Sequence, residues 1–271
     1  MKKLISIMLT VAMVLSMLVA AIPAGAASTV ESGHVPADFD GDGVTDAGAR
    51  AVGSVAEFKA MADGGKYYLT KDLVIKTGSD GVEAGKPVRN WTTNGLYFDG
   101  CGHTIEFDKT AGTNVTATSL FDGSNTANGL QIKNLNITGV INAPENHDQH
   151  VSTLTQAGGA GVVENVTSSV AITVSSLSGN TAVGGVWAKT EGTATTFKNV
   201  HFTGSITMKC AVPTAGYGGV GGIVGYVKGP STIEDCSNSG KITVGVAGMT
   251  VPFLMMASAV SCLFMLFSPN Q

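Results

Sequence analysis

One eleven-residue phrase, written four times, restricts the fold of this chain more than any other feature. It reads Ile132-Lys-Asn-Leu-Asn-Ile-Thr-Gly-Val-Ile-Asn142, then Val163-Glu-Asn-Val-Thr-Ser-Ser-Val-Ala-Ile-Thr173. It returns as Phe197-Lys-Asn-Val-His-Phe-Thr-Gly-Ser-Ile-Thr207 and as Ile233-Glu-Asp-Cys-Ser-Asn-Ser-Gly-Lys-Ile-Thr243. The copies start 31, 34 and 36 residues apart (163−132, 197−163, 233−197). Self-similarity at such a period marks a solenoid, in which each repeat buries its apolar face only against its neighbours.

The columns of the repeat say which solenoid. The first is apolar throughout, the third is Asn134, Asn165, Asn199 and Asp235, and the tenth is Ile141, Ile172, Ile206 and Ile242. The apolar residues are largely β-branched, the units are short, and Gly and Thr abound, which favours strands over helices. Rungs stacked at about 4.8 Å place like residue above like, so Ile and Asn ladders are expected, the Asn ladder at a turn. The second column, Lys133, Glu164, Lys198 and Glu234, alternates in sign, so neighbouring rungs attract. The reading is an all-β parallel β-helix.

The chain opens with Lys2 and Lys3, an apolar run from Leu4 to Ala21, and the triplet Ala24-Gly25-Ala26. That is the pattern of a secretory signal peptide, 1–26, with an uncleaved membrane anchor as the competing reading. Without the two lysines the formal charge moves from −4 to about −6. A mildly acidic chain without clustered cations offers no footprint for nucleic acid. The four cysteines, Cys101, Cys210, Cys236 and Cys262, form no C-x-x-C pair, so zinc ligation by paired thiolates has no support. Cys236 stands in a column of Leu and Val and reads as a small buried hydrophobe; a Cys210–Cys236 bridge between neighbouring coils is a second reading.

Residues 27–50 carry an Asp-rich segment. Asp38, Asp40, Asp42 and Asp46 take positions 1, 3, 5 and 9 of a calcium loop, with Gly43 at the sharp turn and the Val44 carbonyl at position 7. Ala49 replaces the usual bidentate Glu at position 12. The stretch resembles the D-x-D-G-D-G-x-x-D loops of dockerin-like and integrin-type secreted repeats. Structural Ca²⁺ is the expectation, against a solvated acidic turn.

Next, Ser54-Val-Ala-Glu57 reads as a capping box that opens a short helix through Met61 or Ala62. Lys66–Ile75 reads as one strand, residues to about 93 as a loop, and His103–Phe107 as a strand after the turn at Asp99-Gly-Cys-Gly102. This order, with "GGKYYLTKDLVI", "YFDGCGHTI" and "GGIVGYVKGPSTIEDCSNSGKIT", resembles bacterial exported proteins with GLUG-type repeats. The resemblance covers about residues 54–244. It implies a right-handed parallel β-helix of the pectin-lyase-like class and a secreted or cell-surface role, often adhesive. Cys101 stands where Asn is expected.

Candidate chemistry is sparse. His103 reads as a turn histidine against the alternative of a catalytic base. Glu145, His147, Asp148 and His150 crowd one segment, as a projecting polar loop or a metal site. Pectin-lyase-like enzymes stack acids and bases on one exposed face, but Glu164, Glu234 and Asp235 lie in columns that stacking explains. Gly184-Gly185 and Gly221-Gly222 recur as turn glycines. Expected boundaries are therefore a signal peptide at 1–26, the calcium-loop-like segment at 27–50, an N-terminal cap and first strands at 51–108, repeats at 109–244, and an apolar tail at 245–271. The tail's charge-free Val251–Phe267 is open to three readings: membrane anchor, cover for the solenoid end, or truncated gene end. Two functions compete: a non-catalytic surface protein that contacts glycans or cell-wall and host polymers, and a polysaccharide lyase or glycoside hydrolase.

Overall fold

The computed structural model describes residues 30, 32–91, 95–112, 114–123, 129–143, 150–159, 161–176, 181–192, 194–210 and 219–246. The expected signal peptide and the apolar segment Val251–Phe267 lie outside these residues. Every pairing among the described strands is parallel. The chain is a parallel β-solenoid.

One sheet path runs from Arg50–Val52 through Lys66–Leu69, Leu96–Asp99, Leu130–Ala143, Gly161–Ser168 and Thr195–Phe202 to Ser231–Glu234. It passes residue 108 without a break, so the first strands belong to the same stack as the repeats. A second face continues around the coil through the later half of Leu130–Ala143, Ala171–Ser176, Ser205–Cys210 and Lys241–Val246. A third is the five-stranded sheet Pro87–Trp91, Ser119–Gly123, Thr155–Gly158, Trp187–Thr190 and Val224–Val227.

The repeat alignment matches the rung register residue for residue. Ile141 pairs with Ile172, Ile172 with Ile206, and Ile206 with Ile242, and the first three are fully buried. Phe98, Ile132, Val163, Phe197 and Ile233 form a second interior column. Each fully buried side chain of this size contributes about 1.5–3 kcal/mol of transfer free energy. Ile233, Cys236 and Ile242 are only partly buried and pack on the core from one side. Among the described residues no further rung stacks above them.

The Asn column makes the corner between the first two faces. Asn134, Asn165, Asn199 and Asp235 have φ of 55°, 53°, 51° and 52°. Asn and Asp tolerate this left-handed conformation better than other non-Gly residues, which costs most L-residues about 1–2 kcal/mol. The chain turns there without leaving the ladder, because Leu130–Ala143 continues through the corner. The paired glycines answer a different need. A Cβ at Gly185 would sit 2.0 Å from the Gly222 carbonyl oxygen, and one at Gly221 would sit 2.0 Å from that of Val224. At Gly185 the next coil, and at Gly221 the chain's own turn, leaves no room for a side chain.

Several local expectations shift. The capping box forms, with Glu57 N donating to Ser54 Oγ at 3.2 Å and Gly53 N to Glu57 Oε2 at 2.8 Å. The helix is shorter than read, Val55–Lys59, and drives Phe58 into the interior, 5.5 Å from the Phe98 ring and 5.2 Å from that of Phe121. Lys66–Ile75 is two strands, Lys66–Leu69 and Leu73–Ile75, because a solenoid corner at 70–72 sends them to different faces. The stretch read as a loop contains the strand Pro87–Trp91, whose partner Ser119–Gly123 is remote in sequence. The last strand runs to Val246, two residues beyond the expected end of the repeats.

Candidate functional site

The stacked corner carries a continuous chain of side-chain amides. Asn199 Nδ2 donates to Asn165 Oδ1 at 2.8 Å, Asn165 Nδ2 to Asn134 Oδ1 at 3.1 Å, and Asn134 Nδ2 to Asp99 Oδ1 at 3.1 Å. The ladder thus ends on a carboxylate that is 0% exposed. Asp99 Oδ1 also accepts from Cys101 N at 2.9 Å, and Oδ2 accepts from Ala37 N at 3.0 Å. His34 Nε2 lies 3.0 Å from Oδ2. Cys101 shares the left-handed conformation of the Asn corner, with φ 50°. Burial, and then the charge and acceptor of Asp99, push its thiol up to about 12.

The Asp-rich segment lies against the outside of the first face. The Phe39 ring meets Tyr97 edge-on at 5.4 Å, and Lys133 Nζ reaches the Asp38 carbonyl and sits 4.8 Å from the Phe39 ring centre. Asp46 pairs with Lys66 Nζ at 2.7 Å. Of the expected calcium ligands, Asp38, Asp40 and Asp42 come together, each able to present an oxygen within 4.8 Å of the others. Their carboxylates also order the turn: Gly41 N and Gly43 N donate to Asp38, Asp42 N to Asp40, and Val44 N to Asp42. Slight desolvation raises the Asp38 carboxyl, but the N–H groups of Gly43 and Gly41 and the charge of Lys133 hold it below its ordinary value. Val44 is exposed, while the side chain of Asp46 is turned to Lys66.

The alternating charge column forms in register, though with one diversion. Glu164 stands beside both Lys133 and Lys198, and Lys198 beside Glu234. Lys198 Nζ reaches Glu164 Oε1 at 3.0 Å, whereas Lys133 serves the Asp segment. His103 Nδ1 faces Asp72 at 3.3 Å, as a turn histidine would. Of the crowded set, Glu145, His147 and Asp148 lie outside the described residues. His150 Nδ1 accepts from Ala182 N at 3.1 Å, and burial pulls its pKa down to about 4, so the ring is neutral. Cys236 Sγ donates to the Phe197 carbonyl at 3.5 Å and packs on the core from one side, only partly buried where a small buried hydrophobe is expected.

Two features escaped the sequence reading. Glu191 is buried, touches Lys189 Nζ, and has Lys228 Nζ from the next coil at 3.4 Å. Burial raises its carboxyl, but hydrogen bonding and charge from Lys189, then Lys228, hold it low on balance. The second is an outward column on the second face. Asn142, Thr173, Thr207 and Thr243 stand in register, alternating with the buried Ile column. Thr173 and Thr243 are exposed and Thr207 half-exposed. This is the eleventh position of the repeated phrase, so the signal was present; only the pleat shows that it faces out.

Comparison with known proteins agrees with the architecture in one stretch. Residues 216–243 match the family profile described as the GLUG motif. The chain carries a GLUG motif in its last described coil. Neither the curated proteins nor the solved structures give a match. In this coil Gly221 and Gly222 make the close approach, Val224–Val227 forms the third face, and Ser231–Glu234 returns to the first. Among the described residues no helix is long and apolar enough to cross a membrane.

Proposed function

We propose that this is an exported surface protein whose stacked faces contact glycans or cell-wall and host polymers, without turnover. The observation that carries the reading is the outward column Thr173, Thr207 and Thr243 at rung spacing. Rungs stacked at about 4.8 Å set hydroxyls at a repeat close to one sugar unit of an extended glycan. Each hydroxyl can both donate and accept, and no long side chain must be ordered on contact. Single contacts of this kind are weak, and many copies on one surface multiply them. The signal-peptide pattern at 1–26 supports export, and the charge-free segment Val251–Phe267 is a candidate membrane attachment.

Structural Ca²⁺ belongs to the same proposal. Asp38, Asp40 and Asp42 supply clustered oxygen ligands, the Val44 carbonyl a fourth, and Asp46 a fifth once released from Lys66. Its role is to stiffen the segment that lies on the first face.

The lyase or hydrolase alternative has one observation in its favour, the Lys189–Glu191–Lys228 cluster. One experiment separates the readings. The purified chain is incubated with pectins, alginates and host glycans, with and without Ca²⁺, alongside the triple variant Thr173→Ala, Thr207→Ala, Thr243→Ala and the variant Glu191→Gln. Binding without product, lost in the triple variant, is expected. Release of reducing ends or unsaturated sugars that Glu191→Gln abolishes would overturn the proposal.

A further inference from the structure

Beside the Asp-rich turn, and chemically unlike it, the first corner gathers three different donors. His34 Nε2, a carboxylate oxygen of Asp99 and Cys101 Sγ all lie within 4.8 Å of one another. His34 comes from the N-terminal segment, Asp99 ends the strand Leu96–Asp99, and Cys101 lies in the corner that follows it.

The Asp99 carboxylate is the centre of the cluster. Asp99 Oδ1 is filled by Cys101 N and Asn134 Nδ2, and Oδ2 takes one donor, Ala37 N. Each carboxylate oxygen has room for about two partners. Oδ2 also faces His34 Nε2 at 3.0 Å, yet that nitrogen is out of solvent and makes no directed hydrogen bond, and the Cys101 thiol takes Asp99 as its acceptor. A buried imidazole nitrogen without a directed partner, a buried carboxylate and a thiol bonded to that carboxylate therefore converge on one point. Among the described residues, Cys101 is also the one residue other than Asn or Asp at the left-handed corner of these stacked coils. The conformation disfavours Cys, so the thiol is held there by its surroundings.

We propose that His34 Nε2, Asp99 and Cys101 Sγ bind one divalent d-block cation of the Zn²⁺ type, tying the N-terminal segment to the first coil. The donor set decides the ion. Thiolate and imidazole suit Zn²⁺ and Co²⁺, whereas Ca²⁺ takes oxygen ligands alone. Three protein ligands leave the fourth tetrahedral position to water. On binding, the thiol gives its proton to solvent and the sulfur lone pair forms the metal bond. The hydrogen bonds from Cys101 N, Asn134 Nδ2 and Ala37 N stay in place and orient the carboxylate, as outer partners of metal ligands do.

The test titrates the reduced, metal-stripped chain with Co²⁺ and follows its absorption. One equivalent is expected to produce tetrahedral cobalt bands and a thiolate-to-cobalt charge-transfer band, both erased by Zn²⁺. Cys101→Ser abolishes the charge-transfer band, His34→Gln weakens binding at least about tenfold, and the double variant Asp40→Ala, Asp42→Ala leaves both signals intact. Metal also protects residues 32–49 from proteases. A chain with Cys210, Cys236 and Cys262 replaced by Ser keeps the band, which removes dependence on the folding of Cys101→Ser. Absence of the band at one equivalent, its persistence in Cys101→Ser, or its loss from the chain with Cys101 alone would each overturn the site.

Discussion

Replacing Asn165 separates the two jobs of the corner column. Its φ of 53° needs a residue that tolerates the left-handed region, and its side chain donates to Asn134 Oδ1 and accepts from Asn199 Nδ2. Asn165→Gly keeps the conformation and loses two hydrogen bonds at about 1 kcal/mol each, offset in no other way. Freeing the unfolded chain adds up to about 1 kcal/mol more cost. Asn165→Ala loses the same bonds and pays about 1–2 kcal/mol for a Cβ in the left-handed region. The expectation is roughly 2–3 kcal/mol for Gly and roughly 3–4 for Ala, the order reversed from that in an ordinary strand, where Ala is better. With urea slopes of about 2 kcal/mol/M, the midpoints fall by about 1 to 2 M, Ala lowest. Urea unfolding followed by far-ultraviolet circular dichroism reads this directly. An Ala variant as stable as the Gly variant would refute the claim that backbone conformation selects Asn here.

Three further outcomes follow from the same geometry. Ile206→Asp places an unpaired charge in a fully buried column and should abolish folding, seen as loss of the cooperative unfolding transition. His150 has its pKa depressed to about 4 against an ordinary 6.5, so its contribution is complete above 6.5 and is lost as pH falls toward 4. His150→Asn should flatten the stability profile across that window, and an unchanged profile would show that the ring is not buried neutral. Chelation should raise protease cleavage within residues 37–50, and the Asp40→Ala, Asp42→Ala variant should lose that response; calorimetry without Ca²⁺ uptake would retire the calcium proposal.

The repeated phrase by itself determined the solenoid, its register and its corner. Like residues recur at fixed columns, and parallel stacking turns a column in the sequence into a ladder in space. That is why Ile141, Ile172, Ile206 and Ile242 could be read as one buried stack, and Asn134, Asn165 and Asn199 as a turn ladder. Where the chain departs from the repeat, local sequence no longer carried the answer. Lys66–Ile75 reads as one strand because its alternation is unbroken, yet the coil must turn within it. Pro87–Trp91 looks like a loop until Ser119–Gly123 offers it hydrogen bonds. Only the tertiary structure brings His34 to Asp99 and Cys101, 65 residues away at the nearer (99−34), and sets Lys228 beside Glu191 from the next coil. No column or local motif encodes such meetings. They follow from where the N-terminal segment lies on the first face and from how successive coils align, which are outcomes of packing between parts distant in sequence.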